Sequence, residues 1–210
     1  MNQLLPVVYL VDDDDGVRKA LARLIEAAGY RVDAYDSARA FLACERDEAA
    51  PGCLVLDVQM PELTGLDLQR ELNAAHSNLA IVFITGHGDI PMSVRAMKDG
   101  AVDFLTKPVL DSDLLGAIER AIARAARDGT ARAERDAVRK RIDSLTPRER
   151  QVMLLVVEGR LNKQIATELG TVEKTIKVHR ARVMQKMQAG SLAELVRIFE
   201  SGGIALPHRE

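Results

Sequence analysis

Acidic side chains follow two short apolar runs of the sequence, and a lysine follows a third. Asp12 and Asp13 come directly after five apolar residues, and Asp57 comes directly after four. Lys107 follows a shorter run that ends in a threonine. Such runs are typical of buried parallel strands, and the carboxyl ends of parallel strands form the ligand-binding edge of an open α/β sheet. We therefore expect three carboxylates and one ammonium group to meet at one edge.

The expected cluster has the groups needed for phosphoryl chemistry. Neighbouring carboxylates do not all stay ionised without a cation between them, and oxygen ligands favour Mg²⁺. Lys107 supplies a charge that pairs with a carboxylate or a phosphoryl group, and Thr85 offers a hydroxyl at the end of another predicted strand. An aspartate in such surroundings is equipped to attack phosphorus.

Each of these motifs also has a purely structural interpretation. The run of aspartates at 12–15 suits a helix N-cap, Thr85-Gly86 suits a turn, and Lys107-Pro108 suits a strand exit. The repeated placement at predicted strand ends favours the functional interpretation over these three separate ones.

Strand and helix patterns alternate through the first part of the chain. This predicts an α/β fold with a doubly wound, five-stranded parallel sheet of the flavodoxin-like order 2-1-3-4-5. The predicted strands are 7–11, 31–35, 53–57, 80–84 and 103–106. The predicted helices are 15–28, one capped by Ser37, 66–74, one from about Asp89 to Gly100, and one that starts at Asp111 or Ser112.

Charge divides the chain into two halves. Residues 1–120 hold 11 Lys/Arg against 20 Asp/Glu, a net charge of −9, whereas residues 121–210 hold 18 against 11, a net charge of +7. This asymmetry predicts two domains, the second of which faces an anionic partner such as nucleic acid. Two ordinarily solvated surfaces are the alternative.

We predict an N-terminal domain at 1–124, a charged linker at 125–143 and a smaller all-α domain at 144–210. The linker pattern fits a helix that extends the fifth one, but a plain linker broken at Asp128-Gly129 is preferred.

The last part of the chain predicts a helix-turn-helix arrangement. Thr146-Pro147-Arg148-Glu149 is a capping box with proline at the first helical position. Asn162 is predicted to cap a short helix at 163–169, and Gly170 permits a tight turn before a longer helix at about 173–187. The second helix is basic and suits the major groove of DNA, although a solvated basic face is the alternative.

Neither cysteine belongs to a metal or redox spacing, and Cys53 is predicted to be a buried thiol. No apolar stretch is long enough for a membrane span, and the N-terminus lacks a signal core. We therefore expect a soluble, cytoplasmic protein that does not enter a membrane.

Residues 5–124 resemble the receiver domain of bacterial two-component response regulators. The resemblance is carried by the Asp12-Asp13 pair, by Asp57 in the stretch 56–61, by Thr85 and by Lys107-Pro108. It implies that Asp57 is the phosphoacceptor, and it implies a cis bond before the proline.

The same resemblance implies the metal ligands and the conformational switch. Mg²⁺ would be held by Asp13, by Asp57 and by the main-chain carbonyl of Gln59, with Asp12 acting through water. Phe104 matches an aromatic switch residue that turns inward as Thr85 moves, although core packing also explains it. Gln59 and His87 occupy positions that tune the phosphoryl lifetime in that family.

Residues 145–200 resemble the LuxR-type DNA-binding domain of the NarL/FixJ group. The matching stretches are 145–149, 162–166 and 174–180. The match implies that Lys177 and Val178 face base edges. The residues predicted to meet phosphates are Lys163, Thr175, Arg180, Arg182 and Lys186, and Lys174 is a further predicted DNA contact. Val172 stands where the family has a capping residue, so Thr171 is predicted to cap one residue early.

These resemblances imply a NarL/FixJ-type regulator that is not an enzyme in its own right. A sensor histidine kinase would phosphorylate Asp57, and the chain would then form a homodimer and bind double-stranded promoter DNA. One alternative is an aspartate-nucleophile phosphohydrolase, because residues 13–17 fit the D-x-D-x-[TV] pattern of haloacid-dehalogenase-like enzymes. Another is a constitutive DNA binder with an inert receiver.

Overall fold

The chain forms two compact units, Met1–Thr130 and Ala131–Glu210. The computed structural model describes residues 6–45, 51–86 and 89–202. The predicted boundaries at 124 and 144 stay a prediction.

The first unit is built on a five-stranded parallel sheet with the order β2-β1-β3-β4-β5, which confirms the predicted topology. The strands are β1 (Val7–Val11), β2 (Arg31–Tyr35), β3 (Gly52–Asp57), β4 (Ala80–Thr85) and β5 (Asp103–Thr106). Val11 pairs with Leu56 across β1 and β3. This register places the next residues of the two strands, Asp12 and Asp57, at the same edge of the sheet.

In the described part of the first unit, five helices accompany the sheet, and the predicted alternation is confirmed. They are α1 (Asp15–Ala27), α2 (Ala38–Leu42), α3 (Gly65–Ala74), α4 (Ile90–Lys98) and α5 (Asp111–Asp143). Asp14, Ser37, Thr64 and Asp89 are the N-caps of the first four, and each side chain accepts a backbone N–H bond from the first turn. These short polar side chains therefore fix where the helices begin.

Alternate residues of the strands enter two different apolar cores. One core joins the sheet to α2, α3 and α4, with Phe41, Leu68 and Phe83 fully buried. The other joins it to α1 and α5 through Ile25 and Leu114. Burial on both faces explains why the central strands are continuous apolar runs rather than alternating ones.

Helix α5 corrects the preference for a plain linker. It continues without interruption through Asp128-Gly129 to Asp143. Glycine costs about 1 kcal/mol relative to alanine within a helix, which is too little to end a helix that is anchored on both sides. Val138 and Ile142, near its end, are buried in the core of the second unit.

The second unit is helical in the part that the structure describes. Its helices are α6 (Pro147–Val157), α7 (Asn162–Glu168), α8 (Glu173–Met187) and α9 (Leu192–Ser201), which follow the end of α5. The capping box of α6 is confirmed, with reciprocal bonds between Thr146 and Glu149.

Two predicted caps of the helix-turn-helix are wrong. Asn162 is the first residue of α7 rather than its cap, because the N-cap is Leu161 and the Gln164 side chain accepts the Leu161 N–H at 2.8 Å. Thr171 does not cap α8, whose N-cap is Val172 without a side-chain hydrogen bond. The predicted span of α8 itself is confirmed.

No helix within residues 6–45, 51–86 and 89–202 is both long enough and apolar enough to cross a membrane.

Candidate functional site

Lys107 joins the two buried aspartates at the carboxyl edge of the sheet. Its ammonium lies 2.7 Å from Asp12 Oδ2 and 2.7 Å from Asp57 Oδ2. Asp12 is fully buried, Asp57 is 6 % exposed, and the lysine side chain is 21 % exposed. The expected meeting of these residues, which lie far apart in sequence, is therefore observed.

Both carboxylate oxygens of Asp57 have partners. Oδ2 accepts the Lys107 bond, and Oδ1 accepts the backbone N–H of Gln59 at 3.1 Å. The Gln59 side chain is exposed at the mouth of the site. These bonds hold the carboxylate in one orientation on the rigid end of β3.

Gly65 is part of the site although its sequence context indicates only a loop. A Cβ at this position would lie 2.3 Å from the Asp57 carbonyl oxygen, and the Gly65 N–H donates to Val58 O at 3.0 Å. The first turn of α3 therefore rests directly on the backbone of the acidic site. Only the three-dimensional contact identifies this glycine, because many loops contain one.

The three carboxylates fit the requirements of a divalent cation. One oxygen each of Asp12, Asp13 and Asp57 lie within 4.8 Å of one another, and Asp13 is the exposed member. Such an all-oxygen set suits a hard cation that keeps part of its water shell. Burial raises the pKa of Asp12 and outweighs the lowering effect of its bonds to Lys107 and to the backbone of Asp14. A cation would relieve that penalty.

The charge of Lys107 is stabilised by the same cluster. Burial lowers the pKa of its ammonium, but the hydrogen bonds and charges of Asp12 and Asp57 outweigh burial and raise the pKa above its ordinary value. The lysine is therefore a permanent cation at neutral pH.

Thr85 and Phe104 lie on the neighbouring strands β4 and β5. Thr85 is fully buried at the end of β4, and its backbone carbonyl accepts the backbone N–H of Lys107 at 2.7 Å. The Phe104 ring is half-buried and lies 6.0 Å from the Phe83 ring, centroid to centroid. The expected cis bond between Lys107 and Pro108 is present. His87 lies outside the described residues.

Helix α8 presents a basic, exposed face in the second unit. Lys174, Lys177, Val178 and Arg182 are exposed on successive turns, while Ile176 is buried beneath them. Lys177 also pairs with Glu173 at 3.4 Å, an exposed contact that solvent weakens. Among the other predicted contacts, Lys163 is exposed on α7 and Thr175 is half-buried on α8.

Two of the predicted phosphate contacts are engaged inside the domain. Lys186 Nζ donates to Glu149 Oε2 at 2.7 Å and to Ser144 O at 3.0 Å, and Arg180 Nη1 donates to Asn162 Oδ1 at 3.2 Å. The Lys186 bond, together with the backbone bond from Thr146, lowers the pKa of buried Glu149 to about 2. These two cations connect α8 to α6 and to α7.

Two family models match the chain, one for each unit. The model described as "Response regulator receiver domain" matches residues 8–119, and the model described as "Bacterial regulatory proteins, luxR family" matches residues 143–199. The chain therefore belongs to the two-component response regulators and is of the NarL/FixJ type.

Relatives match this chain along nearly its whole length. The response regulator protein TmoT of Ectopseudomonas mendocina is 46% identical over 95% of this chain and 90% of its own length. The transcriptional regulatory protein FixJ of Azorhizobium caulinodans is 46% identical over 98% of this chain and 96% of its own. The solved structure of the response regulator StyR is 48% identical, with a TM-score of 0.83 over 94% of this chain and 99% of that one. The protein is accordingly a transcriptional response regulator with a DNA-binding output domain.

Proposed function

We propose that Asp57 accepts a phosphoryl group from a sensor histidine kinase and that this modification controls DNA binding by α8. The observation that supports this proposal most directly is the bond of Lys107 to both Asp12 and Asp57, with the Asp13 carboxylate close by. Three acids and one cation at a strand edge are arranged for chemistry rather than for stability.

In the proposed step, a carboxylate oxygen of Asp57 forms a bond to phosphorus while the donor's bond to the same phosphorus breaks. The leaving group, an imidazole or a carboxylate, keeps the electron pair of the broken bond. Lys107 is placed to neutralise charge on the transferred group, and the Gln59 N–H holds the carboxylate oxygen that does not react. The chain catalyses no reaction other than its own phosphorylation and dephosphorylation.

Mg²⁺ is the proposed cofactor of this step. Asp13, Asp57 and the main-chain carbonyl of Gln59 would hold it, with Asp12 acting through water. Bound there, it would neutralise the phosphoryl oxygens and keep the acidic cluster ionised.

Thr85 and Phe104 form the proposed switch. The hydroxyl of Thr85 would bond to the new phosphoryl group, and the Phe104 ring would move inward, which is a two-state change biased by a new charge. The switched receiver would then form a homodimer. One helix reads too few base pairs for specificity, so a dimer on paired half-sites of promoter DNA is the expected bound form. Because it would act on chromosomal DNA, the proposed location is the cytoplasm.

The proposed DNA contacts lie on the exposed side of α8 and at the start of α7. Lys177 and Val178 would face base edges, and Lys163, Lys174, Thr175 and Arg182 would meet phosphates. Arg180 would also meet a phosphate while keeping its hydrogen bond to Asn162. Lys186 is assigned a structural role instead, because both of its observed bonds are internal.

The test is incubation of the full chain with acetyl phosphate and Mg²⁺, followed by mass measurement and gel filtration. We expect the mass of one phosphoryl group, an acid-labile modification and a shift from monomer to dimer. Asp57→Asn is expected to abolish all three, and Glu26→Gln, an exposed carboxylate of α1 outside the site, is the matched control. Phosphorylation of the Asp57→Asn variant would contradict the proposal.

The same experiment separates the competing functions. A phosphohydrolase that uses Asp13 would keep its turnover of acetyl phosphate after Asp57→Asn. An inert receiver would show no phosphate on the wild-type chain and unchanged affinity for DNA after treatment.

A further inference from the structure

Arg148 connects α6 to the turn between the two helices of the helix-turn-helix. Its half-buried guanidinium donates from Nη2 to Leu169 O at 2.5 Å and from Nη1 to Gln151 Oε1 at 3.1 Å. Leu169 is the C-cap of α7, and the next residue, Gly170, has a φ of 63°. The arginine therefore touches the short segment from which α8 departs.

The backbone hydrogen bonds inside that turn leave the Leu169 carbonyl as the group that Arg148 satisfies. Thr171 N–H donates to Ala166 O at 2.9 Å and Gly170 N–H donates to Thr167 O at 3.3 Å, which is the pattern of a Schellman motif. The motif satisfies carbonyls within the last turn of α7 but not the carbonyl of Leu169. Arg148 supplies the donor for this carbonyl, and its charge also suits the negative end of a helix.

Other cations of the second unit serve helix ends in a similar way. Arg141 Nη1 lies 3.5 Å from Met187 O, the last residue of α8, and Lys186 bonds to Ser144 O near the end of α5. By contrast, Lys174, Lys177 and Arg182 point into solvent. The basic side chains of this unit thus fall into an internal set and an exposed set.

We propose that Arg148 is a positioning residue for DNA recognition, which fixes the turn before α8 without contacting DNA itself. This inference rests on the proposed function of α8 as the DNA-reading helix. Base-edge contacts require side chains held within fractions of an ångström, whereas attraction to phosphates tolerates misplacement. Loss of Arg148 should therefore reduce sequence-specific binding and spare nonspecific binding.

The experiment compares two DNA probes with the full chain treated with acetyl phosphate and Mg²⁺. One probe is the duplex that the wild-type chain selects from a randomised pool, and the other is a mixed-sequence duplex of the same length. Dissociation constants are measured for both across a salt series. The variants are Arg148→Met, Arg148→Lys and Gln151→Ala, with Arg150→Met as the control that removes an exposed charge of the same helix.

We expect Arg148→Met to weaken binding to the selected duplex roughly tenfold, about the discrimination of one base pair. Its affinity for the mixed duplex and its salt slope should equal those of the wild type. Arg148→Lys keeps a cationic donor but cannot bond to Leu169 and Gln151 through two guanidinium nitrogens, so its affinity for the selected duplex should be intermediate. Gln151→Ala should show a smaller loss of the same affinity. Arg150→Met should keep the wild-type ratio of the two affinities.

Three results would overturn the inference. A salt slope reduced by about 0.9 in Arg148→Met would make Arg148 a phosphate contact. An unchanged ratio of the two affinities, even with a lower melting temperature, would make its role merely structural. If Arg148→Met does not fold, wild-type specificity in both Arg148→Lys and Gln151→Ala decides against the inference. Failure of the wild-type chain to bind any duplex would instead contradict the proposed function of α8.

Discussion

At the scale of single residues, Gly65 shows how closely the first turn of α3 is packed against the end of β3. Gly65→Ala places a methyl group against the Asp57 carbonyl, so either the helix or the strand end must shift. We expect a loss of roughly 1–3 kcal/mol in the stability of the first unit and a slower rate of phosphorylation by acetyl phosphate.

Urea unfolding followed by tyrosine fluorescence measures the loss, because Tyr9, Tyr30 and Tyr35 all belong to the first unit. Gly86→Ala is the control, since a Cβ there meets no atom within 4 Å. Equal stability of the two variants would show that the close approach is unimportant.

Asp12 illustrates a buried carboxylate whose ionisation is opposed by its surroundings. Its folded pKa lies above the ordinary 3.8, so folding favours the protonated form and stability falls as pH rises through the interval above 3.8. In metal-free buffer at neutral pH, Asp12→Asn should therefore stabilise the first unit, by on the order of 1 kcal/mol.

The same urea titration tests this prediction, and the advantage of Asp12→Asn should shrink as the pH approaches 3.8. Asp36→Asn, an exposed carboxylate, is the control and should leave stability unchanged. A destabilised Asp12→Asn variant would mean that the Lys107 bond outweighs the burial penalty.

At the scale of helices, the contact between α6 and α8 depends on an ionised Glu149. Its folded pKa of about 2 lies below the ordinary 4.5, so the stabilisation is complete above pH 4.5 and is lost as pH falls toward 2. We expect amide hydrogen exchange in α6 of the full chain, corrected for the intrinsic rate, to increase across this window. Glu149→Gln should exchange faster at neutral pH and show little further change.

Glu173→Gln is the matched control, because Glu173 is exposed and its pair with Lys177 lies in solvent. A wild-type pattern of exchange in Glu149→Gln would show that the Thr146 capping bonds alone hold the start of α6.

The sequence predicts the features that a local pattern specifies and misses those that depend on contacts between distant residues. The strands and the positions of Asp12, Asp57 and Lys107 are predictable because buried parallel strands require apolar runs and their ends require polar residues. The start of α7 is not predicted correctly, because the Gln164 side chain caps it in competition with Asn162. The roles of Gly65 and Arg148 depend on contacts between distant residues, which no local pattern contains.

At the scale of the whole molecule, the middle of α5 belongs to none of the three apolar cores. Residues 132–137 are all exposed, and the division between the two units falls at Thr130 and Ala131. A helical segment without packing is held chiefly by its own hydrogen bonds, and Gly129 weakens these by about 1 kcal/mol relative to alanine. The unexpected continuity of α5 therefore rests on its packed ends, which a local pattern does not show.

We expect trypsin to cut the native chain first after Arg127, Arg132 or Arg135, giving two resistant fragments. Gly129→Ala should slow this cut about fivefold, since cleavage follows the population of the locally opened helix. Gly116→Ala, in the packed part of the same helix, should leave the rate unchanged, and mass spectrometry of a time course identifies the sites. A first cut elsewhere would contradict this description of the helix.

The exposed middle of α5 is also a segment where recombination can join two domains with little damage to either. A gene fusion whose joint falls in this segment would exchange one output module for another without creating a cavity or a clash in either core. The sequence of the joint is correspondingly little restricted, provided that it favours a helix and remains soluble. Divergent composition here, beside well-preserved ends, is what we expect among descendants of one ancestral fusion.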